Sequence, residues 1–108
     1  MATKQLIDNF VNTLIDTTEV AFTAPVDKDV VVDAFTVANN STVNASYKAY
    51  IKTVSGILTP IIPTQFVVWG EQDLGIGLAG QVVPAGGTLQ VESSALTSLY
   101  FTATGREI

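Results

Sequence analysis

Apolar and polar residues alternate with a period of two along much of the chain. Ala45, Tyr47, Ala49 and Ile51 fall on one side of a run in which Ser46, Lys48, Tyr50 and Lys52 fall on the other. This is the pattern of a strand with one face in a core and one in water. Leu89 and Val91 oppose Thr88, Gln90 and Glu92 in the same way, and Leu99, Phe101 and Ala103 oppose Tyr100, Thr102 and Thr104. Val30 to Ala38 is apolar apart from Asp33 and Thr36, which predicts a central strand buried on both faces. Phe66 to Trp69 is a shorter run of the same type.

Turn-forming clusters punctuate these runs: Asp16-Thr17-Thr18, Pro25-Val26-Asp27, Asn39-Asn40-Ser41, Ser55-Gly56, Pro60 to Pro63, and Pro84-Ala85-Gly86-Gly87. Short strands with regular turn signals, rich in Val and Thr, predict an all-β chain. The expected architecture is an antiparallel two-sheet β-sandwich over residues 1–108, jelly-roll-like or immunoglobulin-like.

The start of the chain admits two readings. Leu6, Ile7, Phe10, Val11, Leu14 and Ile15 recur at helical spacing and could form one stripe. Asn9, Asn12 and Thr13 are poor helix formers, which favours a strand or an extended arm within residues 1–16. From Ser55 to Pro84 the chain is rich in Pro and Gly and reads as a long excursion with a short strand inside it. Long loops in small domains tend to carry function, so a specialised contact surface is expected there.

Composition narrows the function. The 108 residues suit one domain, 47% of them hydrophobic and 14% charged, and so few charges suggest a surface that partners cover. Ten acidic side chains face five cations, Lys4, Lys28, Lys48, Lys52 and Arg106, for a net charge of −5. Binding to phosphate backbones or anionic lipid needs clustered cations, so nucleic acid and membrane surfaces are not expected partners. There is no His and no Cys, which removes the commonest acid–base catalyst, thiolate chemistry and the usual zinc sites. No apolar segment opens the chain as a secretory signal would, and no run approaches a membrane span.

The motifs that could carry chemistry each fail a physical requirement. Gly75-Ile76-Gly77-Leu78-Ala79-Gly80 matches G-x-G-x-x-G, but that motif holds a pyrophosphate at the start of a helix. Here Gln81-Val82-Val83-Pro84 follows, a strand and then a turn. Glu71 and Asp73 lie in a polar turn without a calcium-loop pattern, and Asp27, Asp29 and Asp33 are interleaved with Lys28. The sequons at Asn39-Asn40-Ser41-Thr42 and Asn44-Ala45-Ser46 read as a polar turn. No enzyme, cofactor or metal is expected. The candidate contact residues are apolar or aromatic: Leu6, Phe10 and Leu14 near the start, Tyr50 on the polar face of its strand, and Trp69 and Leu78 in the excursion.

One resemblance adds to this. The stretch from Thr18 to Ser41 carries Phe22-Thr23-Ala24-Pro25, then a Val-rich strand ending at Ala38-Asn39-Asn40-Ser41. Later come the Pro84-Ala85-Gly86 turn before a strand and the closing Gly105-Arg106-Glu107-Ile108. From about Thr17 onward the chain resembles the small β-sandwich virion proteins of tailed bacteriophages, of head-decoration, fibre-base or tail-accessory type. Thr59 to Gly80 departs from the shorter loop of that type. The resemblance implies a structural subunit on the outer surface of the particle, made in the host cytoplasm. It would contact the major capsid protein or other virion proteins and further copies of itself, a trimer being favoured. A tail, collar or fibre-base component is the second version. A carbohydrate- or receptor-binding module centred on Trp69 is the reading from another class.

Overall fold

The computed structural model of the protein describes residues 3–108. Its strands are β1 (Lys4–Phe10), β2 (Glu19–Thr23), β3 (Val30–Asn39), β4 (Ala45–Lys52), β5 (Leu58–Val67), β6 (Gln72–Asp73), β7 (Val82–Val83), β8 (Thr88–Ser93) and β9 (Leu99–Glu107). One sheet runs β1-β9-β3-β6, with β7 also on β3, and the other runs β2-β8-β4-β5. Every pairing is antiparallel. The chain changes sheet at each connection except the β4–β5 hairpin and the β6–β7 segment. The last strand lies between the first and third and does not pair with its predecessor. That is jelly-roll order; an immunoglobulin-like sandwich would pair its last two strands.

The alternating runs supply the core. On β4 the inward residues are Ala45, Tyr47, Ala49 and Ile51, all buried, while Ser46, Lys48 and Tyr50 are half-buried on the outer face. Leu89 and Val91 of β8 and Leu99, Phe101 and Ala103 of β9 are buried in the same register. An aromatic cluster bridges the sheets. The Phe35, Tyr47 and Phe101 rings lie with centroids 5.7–6.1 Å apart, and Phe10 stands 6.5 Å from Phe101. Tilted and edge-on pairs of this kind add about 0.5–1.5 kcal/mol each beyond the area they bury.

Several expectations change. β3 is buried on one face alone: Val30, Val32, Phe35 and Val37 point inward, and Val31, Thr36 and Ala38 are half-exposed. A two-layer sandwich has no third layer to cover the outer face, even of a central strand. Phe66 and Trp69 are likewise not sheet-buried, being 74% and 58% exposed. The excursion is more regular than its composition suggests, because Pro60 and Pro63 lie within the ten-residue strand β5. β5 is a sheet edge and its pairing with β4 carries two register shifts, which is where prolines are tolerated in sheets. At the start of the chain, Lys4–Phe10 is a strand integrated against β9, while Val11 to Thr18 forms a loop.

The glycine-rich segment closes an edge of the sandwich. β6 and β7 pair with opposite ends of β3, and residues 74–81 span the gap between them. Gly80 N–H donates to Val32 O at 2.7 Å and Val32 N–H to Gln81 O at 2.9 Å. Gly75 has φ +55, and a Cβ there would collide with the Phe35 ring. Leu78, expected at a contact surface, is wholly buried. The break in the edge strand lets its side chain enter the core, so it is a core residue and not an exposed anchor.

Candidate functional site

The jelly-roll order gathers four connections at one end of the molecule: 11–18, 40–44, 68–71 and 94–98. They are tied together by backbone. Asn40 N–H donates to Ser98 O, Gly70 N–H to Asn39 O, and Asp16 N–H to Ser93 O, all at 2.9–3.0 Å. Asn39 is the hub. It is buried, its amide nitrogen donates to Val43 O at 2.9 Å and Val67 O at 3.0 Å, and its side-chain oxygen accepts from the Ser41 hydroxyl at 2.6 Å. The expected self-bonded polar turn is present, and it also reaches the end of β5. Asn44 Oδ1 accepts the Trp69 N–H at 3.0 Å and so places the Trp69 loop.

The 11–18 loop is built around a carboxylate. Glu19 Oε1 accepts the Thr13 hydroxyl at 2.8 Å, and Oε2 accepts the Thr13 and Leu14 N–H groups at 3.0 Å each and the Asn12 amide at 3.3 Å. Burial opposes the charge on Glu19. The hydrogen bonds from Thr13, Leu14 and Asn12 outweigh it and hold the carboxyl below its ordinary range. The effect is to fix a loop whose next two side chains point into water.

Each of the four loops offers exposed apolar side chains at this end. They are Leu14 and Ile15, Val43, Val68 and Trp69, and Leu96, between 41% and 58% exposed. None of the four loops contains Lys or Arg, and their charged residues are Asp16 and Glu71. Lys4, Lys28, Lys52 and Arg106 lie toward the opposite end, where β1 starts, β2 turns into β3, β4 finishes and β9 finishes. Lys4 pairs with Glu107 at 2.8 Å and Arg106 with Asp33 at 3.3 Å. The opposite end also exposes Val26, Val54 and Ile57, but among charges of both signs. The four-loop end is thus apolar with a purely acidic rim.

Of the candidate contact residues, Leu14 and Trp69 both lie at this end, on the β1–β2 and β5–β6 loops at opposite edges of the sheets. Leu6 and Phe10 are half-buried against the core, and Tyr50 is half-buried on the outer face of the β2-β8-β4-β5 sheet, paired across to Gln90 and Pro60. Val43 and Leu96 carry no periodic signal in the sequence, and Val68 falls within the run Phe66 to Trp69 that reads there as buried.

A second feature lies near the same end, on the outer face of the β1-β9-β3-β6 sheet. Tyr100 of β9 and Gln72 of β6 are direct neighbours of Ala38 on β3. The small central side chain leaves a trough between two larger ones. Asn9, Asn40 and Glu71 complete the walls of an open depression of about 620 Å³. Asn9 has φ +61 and sits where the β1–β9 register shifts, a bulge that turns its side chain out of strand order. Trp69 does not line this depression.

Among the described residues, no three His, Cys, Asp or Glu side chains cluster closely enough to hold a metal ion. No helix follows the Gly75–Gly80 segment, so a helix-terminus phosphate site is not formed there. No helix among the described residues is long and apolar enough to cross a membrane. Set beside known proteins, the chain matches no family model, no curated protein and no solved structure.

Proposed function

We propose that this protein is a virion structural subunit of a tailed bacteriophage, a capsid decoration protein that docks on the head through its four-loop end. The observation that carries this reading is the apolar end itself. Six exposed apolar side chains from four separate loops lie at that end, and none of the four loops carries a cation. Exposed apolar side chains gathered at one end of a small domain mark a place where a partner sits. The acidic rim of Asp16 and Glu71 suits a partner whose docking surface is apolar with Lys or Arg around it. It also discourages two copies from meeting through this end, since like rims repel.

The phage assignment is supported by the turn motifs from Phe22 to Pro25, from Ala38 to Ser41 and from Pro84 to Gly86, together with a sandwich of two antiparallel sheets. Further copies of the chain would then stand side by side on the shell. Gold-labelled antibody against the protein, applied to intact and osmotically separated particles, tests the location. Label on heads is expected. Label confined to tails would replace the head assignment with a tail, collar or fibre-base role.

A further inference from the structure

We infer that the trough between Tyr100 and Gln72 is a binding site for a neutral saccharide. This goes beyond the assembly role and does not rest on it; Asn40 and Glu71 border both the trough and the four-loop end, so the free chain is where the site is read. The floor is the Ala38 methyl, flanked across the sheet by the Tyr100 ring on one side and the Gln72 amide on the other. Around it stand the Asn9 and Asn40 amides and the Glu71 carboxylate. None of the side chains of Asn9, Asn40, Glu71 and Gln72 makes a hydrogen bond within the described residues. Asn39, beside them, spends its amide on Val43, Val67 and Ser41. The wall groups are therefore free to bond a ligand, while the scaffold behind them is fixed.

The chemistry of the lining selects the ligand. Amides both donate and accept, as paired sugar hydroxyls require. An aromatic side chain offers an apolar face with a polar tip, which suits the C–H face of a pyranose. With no cation in the walls and a nearby carboxylate, an anionic ligand would be repelled. With one carboxylate alone, a multivalent cation lacks ligands. The volume falls in the range of small-molecule sites. The site is shallow and open, so the ligand is an exposed chain such as a cell-surface or capsular glycan, bound weakly per copy and tightly only when many copies act together.

The test is an NMR titration of the full chain with neutral hexasaccharides of glucose, mannose and N-acetylglucosamine, with a sialylated oligosaccharide as the anionic control. Shifts are expected for the amides of Asn9, Ala38, Asn40, Gln72 and Tyr100, with at least one neutral sugar binding at about millimolar strength. Ala38→Leu fills the trough from its floor and Tyr100→Ala removes the ring. Each should weaken binding about tenfold or more while circular dichroism stays that of the parent. Because Tyr100→Ala removes a half-buried ring, Gln72→Ala, on an exposed side chain, serves as the variant that keeps the fold. No shift from any neutral sugar at about 10 mM overturns the inference. So does binding that Ala38→Leu and Gln72→Ala both leave unchanged, or shifts confined to the Trp69 loop.

Discussion

The Tyr47 hydroxyl on β4 donates a 2.6 Å hydrogen bond to the Asp73 carboxylate on β6, tying one sheet to the edge of the other. The same carboxylate oxygen accepts the Gly75 N–H at 3.0 Å, where the chain begins its crossing of the gap in the edge strand. One buried phenol thus anchors the segment that carries Leu78 into the core. Tyr47→Phe should cost about 1–3 kcal/mol, because it leaves a partly buried carboxylate short of a donor. Urea unfolding measures it.

The same bond gives a signature at alkaline pH. Burial, then the hydrogen bond to Asp73 and the charge on Asp73, push the Tyr47 phenol well above the ordinary tyrosine value of about 10. In the unfolded chain the phenol ionises at its ordinary value, while in the folded chain it stays protonated. The unfolded state therefore binds fewer protons above that pH, and stability falls as pH rises past about 10. In Tyr47→Phe this part of the alkaline loss should vanish. Thermal midpoints measured across the alkaline range for both proteins check it.

Gly75 and Gly70 separate backbone strain from steric exclusion. Both have positive φ, but a Cβ at Gly70 would meet open space and one at Gly75 would meet the Phe35 ring. Gly70→Ala is expected to cost about 1–2 kcal/mol for the left-handed backbone. Gly75→Ala adds overpacking of an aromatic core and should cost about 2–5 kcal/mol. Equal losses in chemical denaturation would refute the role assigned to the Gly75 turn.

Much of the fold was readable because the inward positions of β4, β8 and β9 are apolar apart from Ser93 and Gly105 and their neighbours are largely polar. What misled were features whose meaning depends on distant strands. Pro60 and Pro63 read as a turn, yet an edge strand with register shifts accommodates them. Leu78 sits among glycines and reads as exposed, yet the gap between β6 and β7 draws it inward. At the candidate site, Leu14 was legible as part of the apolar N-terminal stripe and Trp69 as an aromatic in the Pro/Gly-rich excursion. Val43, Val68 and Leu96 come to the same end only through the order in which the strands pair.

Acid should loosen the four-loop end before it unfolds the sandwich. The Glu19 pKa is lowered in the folded chain, so its contribution is present above the ordinary glutamate value and is lost as pH falls through the folded value. Glu107, held down by its hydrogen bond to Lys4 and the charge on Lys4, behaves in the same direction at the opposite end. Glu19→Gln removes the anion that Thr13 and Leu14 N–H groups bond. Amide exchange at Thr13 and Leu14 should then speed up at neutral pH, with β4 and β9 protection unchanged. Unaltered exchange at both amides would mean that the carboxylate does not organise the loop.

The contact surface itself is open to substitution, since its side chains contribute little to the core. Trp69→Ala and Leu14→Asp should each leave thermal stability within about 1 kcal/mol of the parent. Rebinding to heads stripped of the protein should weaken about 30-fold or more for Trp69→Ala, as for an aromatic anchor. A sedimentation assay with stripped heads separates the two readouts.

The most direct test of the docking account is a cryo-EM map of the parent particle at side-chain resolution. Sandwich-shaped density on the head, about 41 × 28 × 20 Å, is expected, with Leu14, Val43, Trp69 and Leu96 buried against the shell protein. Lys and Arg side chains of that protein should face Asp16 and Glu71. A map in which the four-loop end faces solvent while another surface meets the particle would contradict it.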